Sequence, residues 1–267
     1  MKYAFLILAA GLAGEPLFAQ DVVKPFTVTG SVGLVSDYRF RGVSQSDKEM
    51  AIQGGVTITH TSGVYGGFWG SNLAGWGQFG GANMELDLIG GYKKTLGAAT
   101  IDVGLTWYMY PGGSDLTDFA EPYVKVSGTA GPVNLLAGVA YAPKQRALGN
   151  FSNTPKSRGQ SQDNLYIWGD VSSGIPGTPV TLKAHAGYSH GNPGLGPNGT
   201  SVTPTGEYID YSVGADYVLG RLTFGISYVD TNITKKESLY LQPNFSSSKN
   251  GSSIASGKAV FSVTAAF

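Results

Sequence analysis

The sequence predicts an all-β fold, an antiparallel up-and-down transmembrane β-barrel of about twelve strands. Beyond Gln20, apolar and polar side chains alternate in segments of roughly ten residues. The connections between these segments are alternately short and long. Charges in the middle of a segment fall on its polar side, as expected for a wall with lipid outside and water inside.

Composition is compatible with such a barrel and excludes several other functions. The chain has 267 residues, 40 of them glycine, with 13% charged residues and a formal net charge of zero. A nucleic-acid partner would favour a basic patch, so none is expected. Cysteine is absent, which excludes disulfides and thiolate metal sites. No cofactor is indicated, and Asp115 and Asp118 lack the spacing of a calcium loop.

The first residues, 1–19, have the pattern of a secretory signal peptide. Lys2 precedes the apolar run from Tyr3 to Ala13, which is too short to span a membrane. Cleavage after Ala19 fits the preference for a small residue at that position. Residues 20–267 are therefore assigned to the barrel.

Twelve segments are predicted as strands, and their connections have a regular order. The segments are 26–38, 51–60, 63–72, 83–94, 98–109, 119–129, 132–142, 164–173, 178–189, 208–219, 221–230 and 257–267. Connections such as Thr61-Ser62 are short and alternate with long ones such as Thr231 to Ser256. Short periplasmic turns and long extracellular loops are typical of outer-membrane barrels, and an even strand number puts both termini in the periplasm.

The alternation divides the side chains into a lipid-facing and a lumen-facing set. The lipid-facing set includes Leu86, Leu105, Leu135, Ile167, Leu182, Val213, Phe224 and Val263. The lumen-lining candidates are Asp37, Arg39, Arg41, Glu85, Asp87, Lys93, Asp102, Glu121, Lys125, Asp170, Lys183, His185, Asp210 and Asp216. Acids modestly outnumber bases in this set, which predicts a weak cation preference.

Aromatic residues near the segment ends suggest two girdles at the membrane interfaces. The periplasmic girdle would hold Phe26, Tyr65, Tyr92 and Tyr217, and the outer girdle Trp107, Tyr141, Tyr188 and Tyr228. Ordinary strand propensity of aromatic residues is the alternative explanation.

One motif stands out near the start of the chain. It is Ser36-Asp37-Tyr38-Arg39-Phe40-Arg41-Gly42-Val43-Ser44-Gln45-Ser46-Asp47, followed by Ala51-Ile52-Gln53-Gly54-Gly55. Together with Gly67-Phe68-Trp69-Gly70-Ser71-Asn72, Glu85, Asp87 and Gly91-Tyr92-Lys93, it resembles the TorF family of proteobacterial proteins classed as porins. Met50 stands where that family is expected to have Pro. The resemblance implies an outer-membrane barrel with a transport role and names no substrate.

Asp37, Arg39 and Arg41 share one parity at the top of the first predicted strand. Two guanidiniums beside a carboxylate can hold an anionic substrate. An internal salt-bridge network with Glu85 or Asp87 is the favoured alternative, because barrel interiors commonly contain such pairs.

The last segment, 257–267, supports closure of the sheet. A final strand must either form an exposed edge or pair with another strand. An amphipathic last strand ending in Phe resembles the closing strand of bacterial outer-membrane barrels. This resemblance implies recognition by the barrel-assembly machinery through the strand that ends at Phe267.

The predicted function is that of an outer-membrane porin or channel that gives passive passage to small polar solutes or ions through a narrow or open lumen. Outer-membrane lipid and lipopolysaccharide are the expected surroundings. The alternative is a structural or adhesive barrel with a filled lumen, since about twelve strands lie between filled and open barrels. A hydrolase is less favoured, and we expect no enzyme. The best constellation, His185 with Ser189 and Asp170 or Asp210, places Ser189 roughly 13 Å along the strand, and no nucleophile elbow is present.

Overall fold

The computed structural model describes residues 25–75, 79–113, 116–149, 161–194 and 202–267, so the predicted signal peptide, 1–19, lies outside the described residues. Twelve long antiparallel strands close into one barrel, and a two-stranded hairpin forms a separate small sheet. The strands are β1 Phe26–Val35, β2 Arg39–Phe40, β3 Val43–Ser44, β4 Ala51–His60, β5 Val64–Asn72, β6 Met84–Leu96, β7 Ala99–Met109, β8 Phe119–Ala130, β9 Val133–Gln145, β10 Gln162–Gly174, β11 Val180–Gly191, β12 Glu207–Leu219, β13 Leu222–Thr231 and β14 Lys258–Ala266.

The predicted barrel of about twelve strands is confirmed, with one difference at its first strand. β1 ends at Val35 instead of continuing to residue 38, and β2 and β3 form the separate hairpin. The short connections lie at one end of the barrel, which we call the short-turn end, and the other is the long-loop end. Gly131 and Gly220 have positive φ angles of 61° and 60°, which lets the chain reverse within two residues at the short-turn end.

The outer surface of the wall is apolar and the inner surface is polar. Of the eight side chains predicted to face lipid, Leu86 is half-buried and the other seven, such as Leu105 and Val263, are exposed. Most charged side chains away from the strand ends point the other way, and many of them are buried. Such an exposed apolar belt is unfavourable in water and favourable in hydrocarbon. In the described part of the chain, no helix is long and apolar enough to cross a membrane.

The aromatic residues follow the predicted girdles with one exception. Phe26, Trp107 and Tyr228 are exposed on the outer surface, as are most of the others. At the long-loop end, these tyrosines donate to neighbouring carboxylates, as Tyr228 does to Asp230 over 3.0 Å. Tyr65 was predicted for the periplasmic girdle, and this is wrong: it is buried inside the barrel. Apolar side chains occupy both faces of β5, so alternation did not fix its orientation.

The barrel closes where β14 pairs with β1. The register joins Ser31–Val35 of β1 to Ser262–Ala266 of β14. Gly30 and Phe267 continue it by exchanging two backbone hydrogen bonds of 2.8 and 2.9 Å. A side chain at position 30 would collide with the Phe267 ring, because a Cβ there would lie 2.5 Å from Phe267 Cε2. Glycine at position 30 therefore leaves room for the Phe267 ring at the closing pair.

The two faces of β1 give a direct test of the apolar belt. Val32 is exposed on the outer face, and the adjacent Ser31 is half-buried on the inner face. We expect Val32→Lys to lower the free energy of unfolding from lipid vesicles by about 2–4 kcal/mol, because a lysine facing lipid near the midplane is poorly solvated. The control Ser31→Lys places the same charge inside and is expected to cost much less. Equal costs in a urea titration would contradict the assigned faces.

Candidate functional site

The segment after β1 turns into the barrel and crosses its long-loop half. We call residues 37–46 the inner hairpin, and every one of them is buried. β2 and β3 pair through Arg39 with Ser44 and Phe40 with Val43, and Arg41 and Gly42 form the two-residue turn. Both turn residues have positive φ, 48° and 79°, as the type I′ hairpin turn requires. The turn presses against the wall, since a Cβ on Gly42 would lie 2.9 Å from the Cβ of Asp210.

Arg41 joins the inner hairpin to the far side of the wall. Its Nη2 lies 2.6 and 2.7 Å from the two carboxylate oxygens of Glu121 on β8, and its Nη1 donates to Asn164 on β10 over 2.9 Å. The guanidinium also lies over the Tyr166 ring, 4.1 Å from its centroid. Burial alone would lower the pKa of Arg41, but the Glu121 carboxylate holds this pKa above its ordinary value. The ion pair is therefore charged and directional in this buried setting.

Tyr38 holds the opposite side of the inner hairpin against β5 and β6. Its hydroxyl donates to Glu85 Oε2 over 2.7 Å, and its ring packs against Trp69 with a centroid distance of 5.5 Å. Burial, together with the Glu85 and Asp87 carboxylates, raises the pKa of Tyr38 well above its ordinary value. The hydroxyl thus stays protonated and remains a donor. Glu85 and Asp87, with exposures of 2% and 0%, lie in the interior.

The last long connection, 232–257, covers the inner hairpin from the long-loop end. Val43 packs in a buried apolar cluster with residues of this connection, including Phe245 and Ile254. Arg39 donates to the Ser256 carbonyl over 2.8 Å and to Asp37 over 2.9 Å. The inner hairpin is therefore held from the wall on its sides and by this connection above it.

Two groups of charged side chains lie deeper, toward the short-turn end. His185 on β11 is 2.7 Å from Asp170 on β10 through Nδ1 and 3.0 Å from Asp210 on β12 through Nε2. Carboxylate oxygens only accept hydrogen bonds, so the arrangement suits an imidazolium that donates from both nitrogens. A histidine held in this way is not positioned as the general base of a hydrolase. Nearby, Lys183 pairs with Asp216 at 2.5 Å.

The second group surrounds Asp102 on β7. Tyr65 donates to Asp102 Oδ1 over 2.6 Å, and the Tyr65 and Tyr123 hydroxyls are hydrogen-bonded to each other. Lys125 and Lys93 lie 3.1 and 3.8 Å from Asp102 Oδ2. The two tyrosines lie flat along the wall, because the strands beneath them carry glycine: a Cβ on Gly91 would lie 2.6 Å from the Tyr65 hydroxyl.

Four contiguous strands, β13, β14, β1 and β4, line the remaining inner surface of the short-turn half with small residues. Their register pairs Thr29 with Thr57, Thr27 with Thr59, and Thr223 with Thr264. We call this surface the hydroxyl wall; its hydroxyl-bearing members are Thr27, Thr29, Ser31, Thr57, Thr59, Thr223 and Thr264. The short-turn half of the barrel thus combines a charged side with an uncharged side of small polar groups.

The structure places all of the predicted lumen residues inside the barrel, but in two different settings. Asp37, Arg39 and Arg41 are not at the top of β1, as predicted from their parity, because the chain leaves the wall at Ser36; they occupy the lumen interior within the inner hairpin. Arg41 pairs with Glu121 and Arg39 with Asp37, whereas the sequence favoured Glu85 or Asp87 as partners. The wall residues are these: Glu85, Asp87 and Glu121 in the long-loop half, and Lys93, Asp102, Lys125, Asp170, Lys183, His185, Asp210 and Asp216 below or beside the inner hairpin.

Sequence reasoning missed several residues that connect these groups. Tyr38, Tyr65, Asn164 and Tyr208 all make polar contacts inside the barrel, and the Tyr208 hydroxyl donates to the Arg41 carbonyl over 3.0 Å. Alternation places Tyr208 and Asn164 on the polar face of their strands, so parity was the available signal. Their partners lie far away in sequence, and no local pattern identifies such partners.

The family of this chain follows from a match over almost its whole length. Residues 19–267 match the model of a family described as bacterial protein of unknown function (Gcw_chp). The chain belongs to the Gcw_chp family. No curated protein matches it.

Several solved structures are similar to this Gcw_chp protein at low sequence identity. A chain from a study of in-meso crystallisation of membrane proteins has 10% identity and a TM-score of 0.49, with 90% of this chain and 83% of that chain covered. A porin has 11% identity and a TM-score of 0.43, with 91% and 100% covered. A FadL homologue of Pseudomonas aeruginosa has 11% identity and a TM-score of 0.44, with 91% and 74% covered.

The buried pair of Arg41 and Glu121 is expected to be much more important for stability than an exposed pair. Glu121→Ala leaves a buried guanidinium without its carboxylate, and we expect it to lower the free energy of unfolding by about 3–5 kcal/mol. The matched control is Glu49→Ala, which breaks the pair of Glu49 with Lys249. The side chains of Glu49 and Lys249 are 55% and 62% exposed, so the loss should cost at most about 1 kcal/mol. Both values can be measured by urea titration in lipid vesicles. A small effect of Glu121→Ala would show that this pair does not hold the inner hairpin.

Proposed function

We propose that this Gcw_chp protein is an outer-membrane channel for small polar solutes or ions, and that the inner hairpin closes its long-loop half in the state described. The apolar belt supports a membrane location, because hydrocarbon around the barrel would remove the whole belt from water. Lipid and lipopolysaccharide would then surround the wall, and the barrel-assembly machinery would recognise the strand that ends at Phe267. The resemblance of residues 36–47 to the TorF family supports the same role.

The observation that carries the proposal is the polar, partly exposed inner surface of the short-turn half. Lys93 and Lys125 have side-chain exposures of 31% and 27%, although both point into the barrel. Across from them, the hydroxyl wall has only small side chains. A barrel whose interior served stability alone would gain more from close apolar packing, since burying ion pairs often gives no net stabilisation. A polar surface that solvent can reach is suited to the passage of hydrated solutes.

The inner hairpin has the properties of a movable closure. Moving it would break the side-chain contacts of Arg41 and Arg39. It would also break the backbone hydrogen bonds of Ser44 with Ile254 and of Gln45 with Ala74, but no pairing within the wall. A structural barrel with a permanently filled lumen is the second candidate, and the burial of all ten residues of the inner hairpin favours it. We propose no catalytic role, because both ring nitrogens of His185 face carboxylates.

Planar-bilayer conductance distinguishes the two candidates. Arg41→Gly removes the side chain that crosses to β8 and β10, and glycine adopts the positive φ at this position without strain. We expect a low conductance for the wild type and a several-fold higher conductance for Arg41→Gly.

The control for this experiment is Lys249→Gly, which removes an exposed cation from the connection 232–257 and should leave the conductance unchanged. Folding of each variant is checked by circular dichroism in detergent. If Arg41→Gly folds but neither it nor the wild type conducts ions, the filled-lumen candidate is correct and the channel proposal is rejected.

A further inference from the structure

The group around Asp102 differs from the other charged groups of the short-turn half in its balance of charge. Among the described residues, Lys183 pairs with Asp216 alone, at 2.5 Å, and His185 lies between two carboxylates. Lys93 and Lys125 instead share the single carboxylate of Asp102. The group therefore carries one uncompensated positive charge on the inner surface of the barrel.

The tyrosine hydroxyls of this group are already committed to each other and to Asp102. Tyr65 donates its only hydroxyl proton to Asp102 Oδ1. The hydrogen bond between the two tyrosines must then use the proton of Tyr123, with the Tyr65 oxygen accepting. Neither hydroxyl has a proton left to offer to a solute. The donors that remain for a ligand belong to the two ammonium groups.

Both ammonium groups have unused donor capacity. Lys93 Nζ is 3.8 Å from Asp102 Oδ2, which is beyond hydrogen-bond distance, and it makes no other hydrogen bond within the ranges that the structure describes. Lys125 Nζ is 3.1 Å from the same oxygen, and an ammonium has three N–H groups. Each ammonium also lies over a tyrosine ring, 4.5 Å from the centroid of Tyr65 and 4.1 Å from that of Tyr123. These contacts keep the two cations near one carboxylate oxygen and leave N–H groups of both without a hydrogen-bond acceptor among the described residues.

We propose that Lys93 and Lys125 form a binding site for a small organic monoanion with a carboxylate group. The two ammonium nitrogens lie close to one shared oxygen, so a carboxylate can accept from both. One negative charge neutralises the excess charge of the group, which favours a monoanion over a phosphate dianion. The transport role of this site rests on the proposed function. The site adds to that function the class of solute that enters the short-turn half.

The hydroxyl wall, across the lumen from the site, leaves room for such a solute. Its side chains on β1, β4, β13 and β14 are small and uncharged, so they neither repel an anion nor fill the space. Their hydroxyls can donate to or accept from polar groups of the solute. The geometry is suited to a solute with one carboxylate and a short polar or apolar remainder.

The site is tested by isothermal titration of the detergent-folded protein with propionate and with its neutral analogue propionamide. We expect propionate to bind to the wild type and propionamide to show no binding. Lys93→Gln should weaken propionate binding about tenfold, since a charge-assisted hydrogen bond is lost. Lys93→Arg, which keeps the charge, should largely preserve binding.

Lys94→Gln is the matched control, because it removes the same charge from the next residue of β6, which is exposed on the outer face. It should leave propionate binding unchanged. If Lys93→Gln does not fold, Lys125→Gln tests the same site.

The titration separates failure of the site from failure of the channel, since it needs no membrane current. A barrel that binds propionate in this way but never conducts retains the site and loses the channel role. Absence of binding to the wild type, equal binding of propionamide, or equal weakening by Lys94→Gln overturns the site. Tighter binding of inorganic phosphate than of propionate overturns the choice of a carboxylate.

Discussion

The pairing of backbone N–H and C=O groups is the constraint on which the rest of this structure depends. A wall in contact with hydrocarbon has no water to satisfy these groups, so a sheet is stable there only when it closes. Closure of β14 onto β1 meets this requirement and fixes which side chains face outward. The apolar belt and the polar interior then follow from a side-chain period of two residues. Charged side chains on the inner face of the strands, such as Glu85 and Asp102, must then be accommodated in the space that the wall encloses.

The enclosed space is divided into two halves with different physical character. In the long-loop half, the inner hairpin brings its own backbone and side chains into the lumen, and its buried charges are paired, as Arg41 is with Glu121. In the short-turn half, the side chains among the described residues come from the wall, and charges such as Lys93 keep part of their contact with solvent. The same barrel therefore combines a packed interior with a wet one, and the turn at Arg41 and Gly42 marks the border between them.

The sequence was sufficient to predict features that depend on local patterns. Strand positions and faces follow from alternation, so Leu105 and Asp102 were assigned to opposite faces correctly. The inner hairpin could not be predicted from parity, because Arg39 and Arg41 continue the alternation of β1 after the chain has left the wall. The positive φ of Arg41, a residue that rarely adopts it, has no distinct sequence signal beyond the following glycine. A count of lumen charges also gave equal weight to Glu85, which is buried, and Lys93, which is not. The solvent accessibility of a side chain depends on packing between distant segments, and composition does not predict that packing.

The seam between β1 and β14 has a consequence for the order in which the fold forms. Every other neighbouring pair of wall strands joins segments that follow one another along the chain, so each can form as a local hairpin. The seam alone brings together the two ends of the described barrel, and its register, from Ser31 to Val35, is shorter than that of any other wall pair. Contacts of such large sequence separation carry the greatest loop-closure cost. Loop-closure entropy therefore favours formation of the hairpins before the seam, because the seam has the largest closure cost of any pairing in the described wall.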